Sequence, residues 1–202
     1  MSASERAYRH VKERVLDGSI PGGELISENE IAEQLGMSRT PVRAAFGQLE
    51  AEGWLKLYPK RGALVVPVSA QETEAVIEAR WVIERYAIER VIERPGDVPD
   101  QLLAAAEAQV DLEGSEFVET DRAFHRTLVA GTNNPILLSL YDSLRDRQRR
   151  MAAATVRSPR NRERTVVQHR ELAAAIAAGD GERAFGVLRT HLDGSLEAIR
   201  GR

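Results

Sequence analysis

The stretch from Ser27 to Val66 restricts the fold of this chain more than any other, because it carries start and stop signals for two short helices and a hairpin in immediate succession. Ser27 with Glu30 three residues on is a capping box, in which side chain and backbone satisfy each other's exposed N–H groups. Ile31, Ala32 and Leu35 give that helix an apolar stripe, Gly36 ends it, and Met37-Ser38 makes a tight turn. A further helix is expected from about Thr40, with Pro41 in its first turn, where the missing N–H costs nothing. Its inward residues are Val42, Ala45, Phe46 and Leu49, and Gly53 closes it. Trp54–Tyr58 and Ala63–Val66 read as strands around the turn Pro59-Lys60-Arg61-Gly62. Ahead of this block, Glu5–Leu16 has helical periodicity through Tyr8, Val11, Val15 and Leu16, and Gly18 with Pro21-Gly22-Gly23 breaks it. Helix, helix, turn, helix, hairpin is the layout of a winged helix-turn-helix.

The texture changes after Val68. Ser69 and Glu72 form a second capping box, and from there only helical patterns follow. Six are expected, starting near Ser69, Val98, Ser115, Asn134, Ser158 and Asp180. Asn134-Pro135 is an N-cap followed by proline, and Asp180 caps the last helix after Gly179. Short connections favour an antiparallel bundle. The expected fold is therefore mainly α: a winged helix-turn-helix over residues 1–68, then an antiparallel all-α bundle of about six helices over residues 69–202.

Composition narrows the function classes. The 202 residues contain no cysteine, which excludes disulfides and thiolate metal ligands. No run approaches the roughly 18–20 apolar residues of a membrane span, and MSASERAYRH lacks the apolar core of a secretory signal, so a cytoplasmic location is expected. The net charge of −3 argues against unspecific attraction to nucleic acid. Within the first 70 residues nine basic side chains are balanced by nine acidic ones, so a DNA-binding function has to rest on where the basic groups sit.

They sit at two places suited to a duplex. Arg39 and Arg43 are four apart at the start of the third helix, opposite its apolar face, and arginine matches the O6/N7 edge of guanine with two parallel donors. Ser38 and Thr40 beside them offer hydroxyl donors to phosphates, and the helix N-terminus adds its dipole. Lys60 and Arg61 form the tip of the hairpin, where Gly62 permits a close approach or a positive φ. Residues Gly18–Val68, and Ser38-Arg-Thr-Pro-Val-Arg43 most specifically, resemble the winged helix of GntR-type regulators. The resemblance implies operator contacts for Arg39, Thr40, Arg43 and Gly62. Asn29 departs from it where some members carry a basic residue, and Ala44-Ala45-Phe46-Gly47 replaces a more usual Glu-Ala-Leu pattern.

The second constellation is one carboxylate and three histidines. Asp121 and His125 are four apart on the stripe of Phe117, Phe124 and Leu128, where a carboxylate is costly unless paired or bound to a metal. His169 shares a stripe with Leu172, Ala173 and Ile176, and His191 with Val187 and Leu188. Three helices thus aim ligands inward, and one oxygen with three imidazole nitrogens suits a divalent ion: zinc first, with nickel and manganese as alternatives. Asp121-Arg-Ala-Phe-His125, Gln168-His169, Gly179-Asp180 and His191-Leu192 resemble the FCD ligand-binding domain of the FadR group of GntR regulators, in its shorter VanR-type branch. All four ligand positions of the metal-binding members are matched, so the resemblance implies the same metal site.

Two arginines are candidates for an effector. Arg80 lies on the apolar stripe of the first bundle helix with Val76, Ile83 and Ala87, and either binds an organic acid bidentately or pairs with Glu84 one turn on. Arg145 adjoins Tyr141 and Leu144 in an otherwise solvated arginine-rich stretch. The reading is a homodimeric regulator, a repressor, that binds double-stranded operator DNA under control of a small organic-acid effector near the metal. Two alternatives share these residues: a metal-dependent enzyme, since an Asp/His site with open positions can activate water, and a DNA-binding protein whose metal is purely structural.

Overall fold

The computed structural model describes residues 1–152 and 159–200, and the chain divides into two compact units, Met1–Ser69 and Ala70–Arg202. The expected helix start at Ser158 lies outside the described residues.

The first unit runs α1 (Ala3–Leu16), β1 (Leu25–Ile26), α2 (Glu28–Leu35), α3 (Arg39–Ala51), β2 (Leu55–Tyr58) and β3 (Gly62–Val65). The Ser27 capping box is formed in both directions, and Gly36 takes the left-handed C-cap conformation at φ 61. Helix α3 begins at Arg39, one residue before the expected start, with Ser38 as N-cap. β2 and β3 pair antiparallel from Leu55↔Val65 to Tyr58↔Gly62.

The sequence reading missed β1. It pairs Leu25 with Leu64 and Ile26 with Ala63, making a three-stranded sheet in the order β1-β3-β2. Two residues are too few to show a strand period, so only the partner defines it. The core of this unit is apolar, built from Val11, Val15, Ile31, Val42, Phe46, Leu49, Trp54 and Val65 among others.

The second unit runs α4 (Ala70–Glu93), α5 (Val98–Glu107), α6 (Gly114–Ala130), α7 (Pro135–Ala152), α8 (Pro159–Ala177) and α9 (Gly181–Arg200). Asn134 caps α7 by accepting from the backbone N–H groups of Ile136 and Leu137, both at 3.1 Å, and Asp180 caps α9 by accepting from that of Arg183 at 3.1 Å. Helix α4 packs against α6, α7, α8 and α9, and so lines the interior onto which the histidine-bearing helices face. Leu128, Ala173, Ile176, Leu188 and Leu192 close the apolar part of that interior.

Candidate metal centre and nucleic-acid interface

Helices α6, α8 and α9 bring His125, His169 and His191 to one point, with His125 and His169 fully buried and His191 4% exposed. His125 Nε2 lies 3.1 Å from His169 Nε2 and 3.2 Å from His191 Nε2. Asp121 joins from one turn before His125, its Oδ1 at 3.6 Å from His169 Nε2 and 3.9 Å from His125 Nε2. One ligand atom from each of the four residues falls within 4.8 Å of all the others. Phe124 stacks on the His169 ring at 4.1 Å and fixes its plane.

The outward nitrogens decide what the inward ones can do. His169 Nδ1 donates to Gln109 Oε1 at 2.6 Å, and His191 Nδ1 donates to Gln168 Oε1 at 3.2 Å. His125 Nδ1 is 2.8 Å from Glu84 Oε2, though out of line for a well-formed hydrogen bond. Amide oxygens only accept, so Nδ1 of His169 and of His191 carries the ring proton and their Nε2 atoms present lone pairs, and the Glu84 carboxylate beside His125 Nδ1 favours the same tautomer there.

Burial drives the imidazoles toward the neutral form: His169 is brought down to about 4, and His125 and His191 well below the usual histidine range. Three lone pairs facing one another with no proton between them repel, and a shared cation removes the repulsion. Ligands about 2.1 Å from one ion stand about 3.0–3.4 Å apart at neighbouring tetrahedral or octahedral positions, the spacing found from His125 Nε2 to each of the other two Nε2 atoms. The donor set therefore fits a divalent cation.

Asp121 is ionised. Burial works against its charge, but nearby positive charge, that of the Arg145 guanidinium first, outweighs it and holds the carboxyl well below the usual range. Arg145, singled out of its arginine-rich stretch by its place beside Tyr141 and Leu144, is 5% exposed. Its Nη2 donates to Asp121 Oδ2 at 2.6 Å and its Nη1 to Gln148 Oε1 at 2.6 Å. Its hold on Oδ2 leaves Oδ1 turned toward the imidazoles.

Arg80 makes the expected ion pair with Glu84. It is fully buried and its Nε donates to Glu84 Oε1 at 2.6 Å, while Nη1 and Nη2 have no partner among the described residues. Tyr141 donates its hydroxyl to the same Oε1 at 2.7 Å. Burial opposes the Arg80 charge, but Glu84 overcomes it and keeps the guanidinium protonated.

In the first unit, Ser38, Arg39, Thr40, Arg43, Lys60 and Arg61 are all exposed. Arg39, Arg43, Lys60 and Arg61 border an open cleft of about 650 Å³ between the N-termini of α2 and α3 and the hairpin. Lys60 takes a left-handed φ of 64 and Gly62 a φ of 96. A Cβ on Gly62 would overlap the Ile26 carbonyl oxygen, so the close approach that requires glycine is to the protein's own β1.

Four residues of these sites were missed from the sequence. Glu28 on α2 accepts from Arg43 at 3.2 Å and lies 3.5 Å from Arg39; Arg43 ahead of Arg39 holds its carboxyl below the usual range. An acidic residue in a first helical turn reads only as a partner for the dipole. Glu84 was seen as the partner of Arg80 but not as a neighbour of His125. Gln168 adjoins His169 in sequence but serves His191, and Gln109 lies far from all three histidines along the chain.

Comparison with known proteins agrees with both halves. Residues 3–65 match the family of bacterial regulatory proteins named gntR, and residues 75–194 match the FCD domain. An HTH-type transcriptional regulator in an unstable DNA locus of Streptomyces ambofaciens is 31% identical over 95% of this chain and 83% of its own length. The HTH-type transcriptional repressor GlaR of Escherichia coli K12 is 29% identical over 92% of this chain and 90% of its own. The solved structure of E. coli McbR/YncC superposes with a TM-score of 0.79 at 23% identity, covering 100% of this chain and 98% of the other. These families and relatives are regulators of transcription rather than enzymes, which decides against the metal-dependent enzyme considered above.

Proposed function

This chain belongs to the GntR family of bacterial transcription regulators, with an FCD domain behind its winged helix, and on that premise we propose that it is a cytoplasmic homodimeric repressor whose operator binding answers to a small carboxylate effector at a metal-containing core. The observation that carries the sensing half is the meeting of three Nε2 atoms in an interior that also holds a buried guanidinium with two unpartnered nitrogens. Asp121, His125, His169 and His191 would hold a divalent ion, zinc by ligand type. Coordination beyond four ligands leaves positions for an effector carboxylate. Arg80, with Arg145 behind Asp121, faces such an anion.

Arg39 and Arg43 read base edges in the major groove, Ser38 and Thr40 hold phosphates, and Lys60 and Arg61 carry the wing along the backbone. Gly62 serves by letting the wing seat on β1. A dimer presents two such units to a near-palindromic site, and an effector that prefers one arrangement of the bundle shifts their placement. Repression is favoured by the name of the relative GlaR.

Two variants test the halves. His169→Ala is expected to lose most bound metal, and full occupancy in elemental analysis of that variant refutes the site. Arg43→Ala is expected to cost about 1–3 kcal/mol of binding to genomic fragments selected by the purified protein. Unchanged affinity in a gel-shift titration refutes its role.

A further inference from the structure

Glu28 stands at the first position of α2 with its side chain 20% exposed, while Arg43 and Arg39 beside it are 68% and 59% exposed. Arg43 meets it edge-on. Nε donates to Oε1 at 3.2 Å and lies 3.3 Å from Oε2, and Nη2 donates to Oε2 at 3.2 Å. The carboxylate thus occupies one edge of the guanidinium, the edge made by Nε and Nη2. A guanidinium has five N–H donors in a rigid plane. With that edge held, the adjoining one, Nη1 with the outer N–H of Nη2, keeps two parallel donors on a side chain that is 68% exposed. That is the arrangement a guanine O6/N7 pair accepts.

The support beneath Glu28 is also fixed. Ser27, just before it, is locked in the capping box, and Ile26 is paired in the sheet, with Gly62 of the wing seated against its carbonyl. A carboxylate on this base restrains a side chain that has four rotatable bonds and would otherwise find any nearby phosphate.

We propose that Glu28 is a positioning residue for sequence discrimination: it lowers affinity for DNA in general and directs Arg43 to a base. The inference rests on the reading of Arg43 as a base contact and adds what makes that contact selective. Glu28 places a negative charge at the DNA face, which disfavours every duplex alike. Its return is an arginine already oriented when the right base arrives, so less side-chain freedom is lost on specific binding.

The test compares wild type, Glu28→Gln, Glu28→Asp and Arg43→Ala. The probes are a pool of duplexes with a randomised core, sequenced after selection, and a poly(dI-dC) competitor for unspecific affinity. Glu28→Gln is expected to bind the competitor about two- to fivefold tighter at low salt. It should also lose about tenfold of the preference for the base that Arg43→Ala ceases to select. Glu28→Asp keeps the charge but withdraws the carboxylate by one methylene. It should stay within about twofold of wild type on the competitor and still lose the preference.

Wild-type preference in Glu28→Gln, alongside its loss in Arg43→Ala, overturns the proposal while leaving the base contact intact. Preference kept by Glu28→Asp but lost by Glu28→Gln makes charge rather than reach the cause and overturns it too. An Arg43→Ala variant with unchanged preference removes the base contact and the proposal together. If Glu28→Gln fails to melt cooperatively, Glu28→Asp alone decides.

Discussion

The two units bury opposite kinds of interior. Every buried polar or charged side chain among the described residues belongs to the second unit: Thr73, Arg80, Glu84, Gln109, His125, Arg145, Gln148, Gln168, His169 and His191. The winged helix has none, and its charges form exposed or half-buried pairs such as Arg43–Glu28 and Arg9–Glu5. An apolar core is favourable without any partner beyond the chain itself. A polar core is costly unless each group is satisfied. Here Arg80 Nη1 and Nη2, together with three facing lone pairs, are left for something other than protein to satisfy. Among the described residues the first unit leaves one such atom, His10 Nε2, whereas the second gathers several around one interior.

The sharpest way to break this contrast is to remove Glu84. It accepts from Arg80 and Tyr141 and borders His125, all fully buried. Glu84→Met leaves a guanidinium without its counter-charge, and a broken buried pair costs about 3–5 kcal/mol. Urea denaturation should show that loss, and Arg80→Met added to Glu84→Met should recover much of it. A single variant as stable as wild type would mean that the polar interior relaxes freely and that the contrast has no energetic content.

Metal removal comes next in size. An ion held at a hundred times its Kd contributes about 2.7 kcal/mol to the folded state. Chelation should therefore speed amide exchange in α6, α8 and α9 by about a hundredfold and leave α1, α2 and α3 at their original rates. Equal acceleration in both units would erase the distinction between them. No acceleration anywhere would leave the imidazoles stable as a bare cluster.

The same contrast explains what could be read from the sequence. Apolar periodicity and caps are local, so Ser27, Gly36, Asn134 and Asp180 announced their helices, and the inward stripe of α6 carried Asp121 and His125 together. What escaped was set by distance along the chain. Gln109 reaches His169 and Glu84 reaches His125 only because helices cross. Arg145 stood out from Arg147, Arg149 and Arg150 by its neighbours Tyr141 and Leu144, but its partner Asp121 lies on another helix, so the pairing was not legible. β1 was invisible because its strand character exists only in its pairing with β3.

The smallest effect belongs to the wing tip, where the apolar unit does carry a local cost. Tyr58-Pro59-Lys60-Arg61 closes as a turn, with the Arg61 N–H donating to the Tyr58 carbonyl at 3.0 Å. Pro59 supplies the negative φ of the first central position, and Lys60 takes the second at φ 64, where glycine or asparagine is usual. A left-handed conformation costs an ordinary residue about 1–2 kcal/mol, part of which a glycine gives back through the larger freedom of its unfolded chain. Lys60→Gly should thus stabilise the winged helix by about 0.5–1 kcal/mol in thermal denaturation while weakening duplex binding through the lost ammonium. A gain in stability with a loss of affinity would tie this strained lysine to a charge needed at that point. Stabilisation with undiminished affinity for DNA would detach the wing tip from the interface and leave α3 to carry it alone.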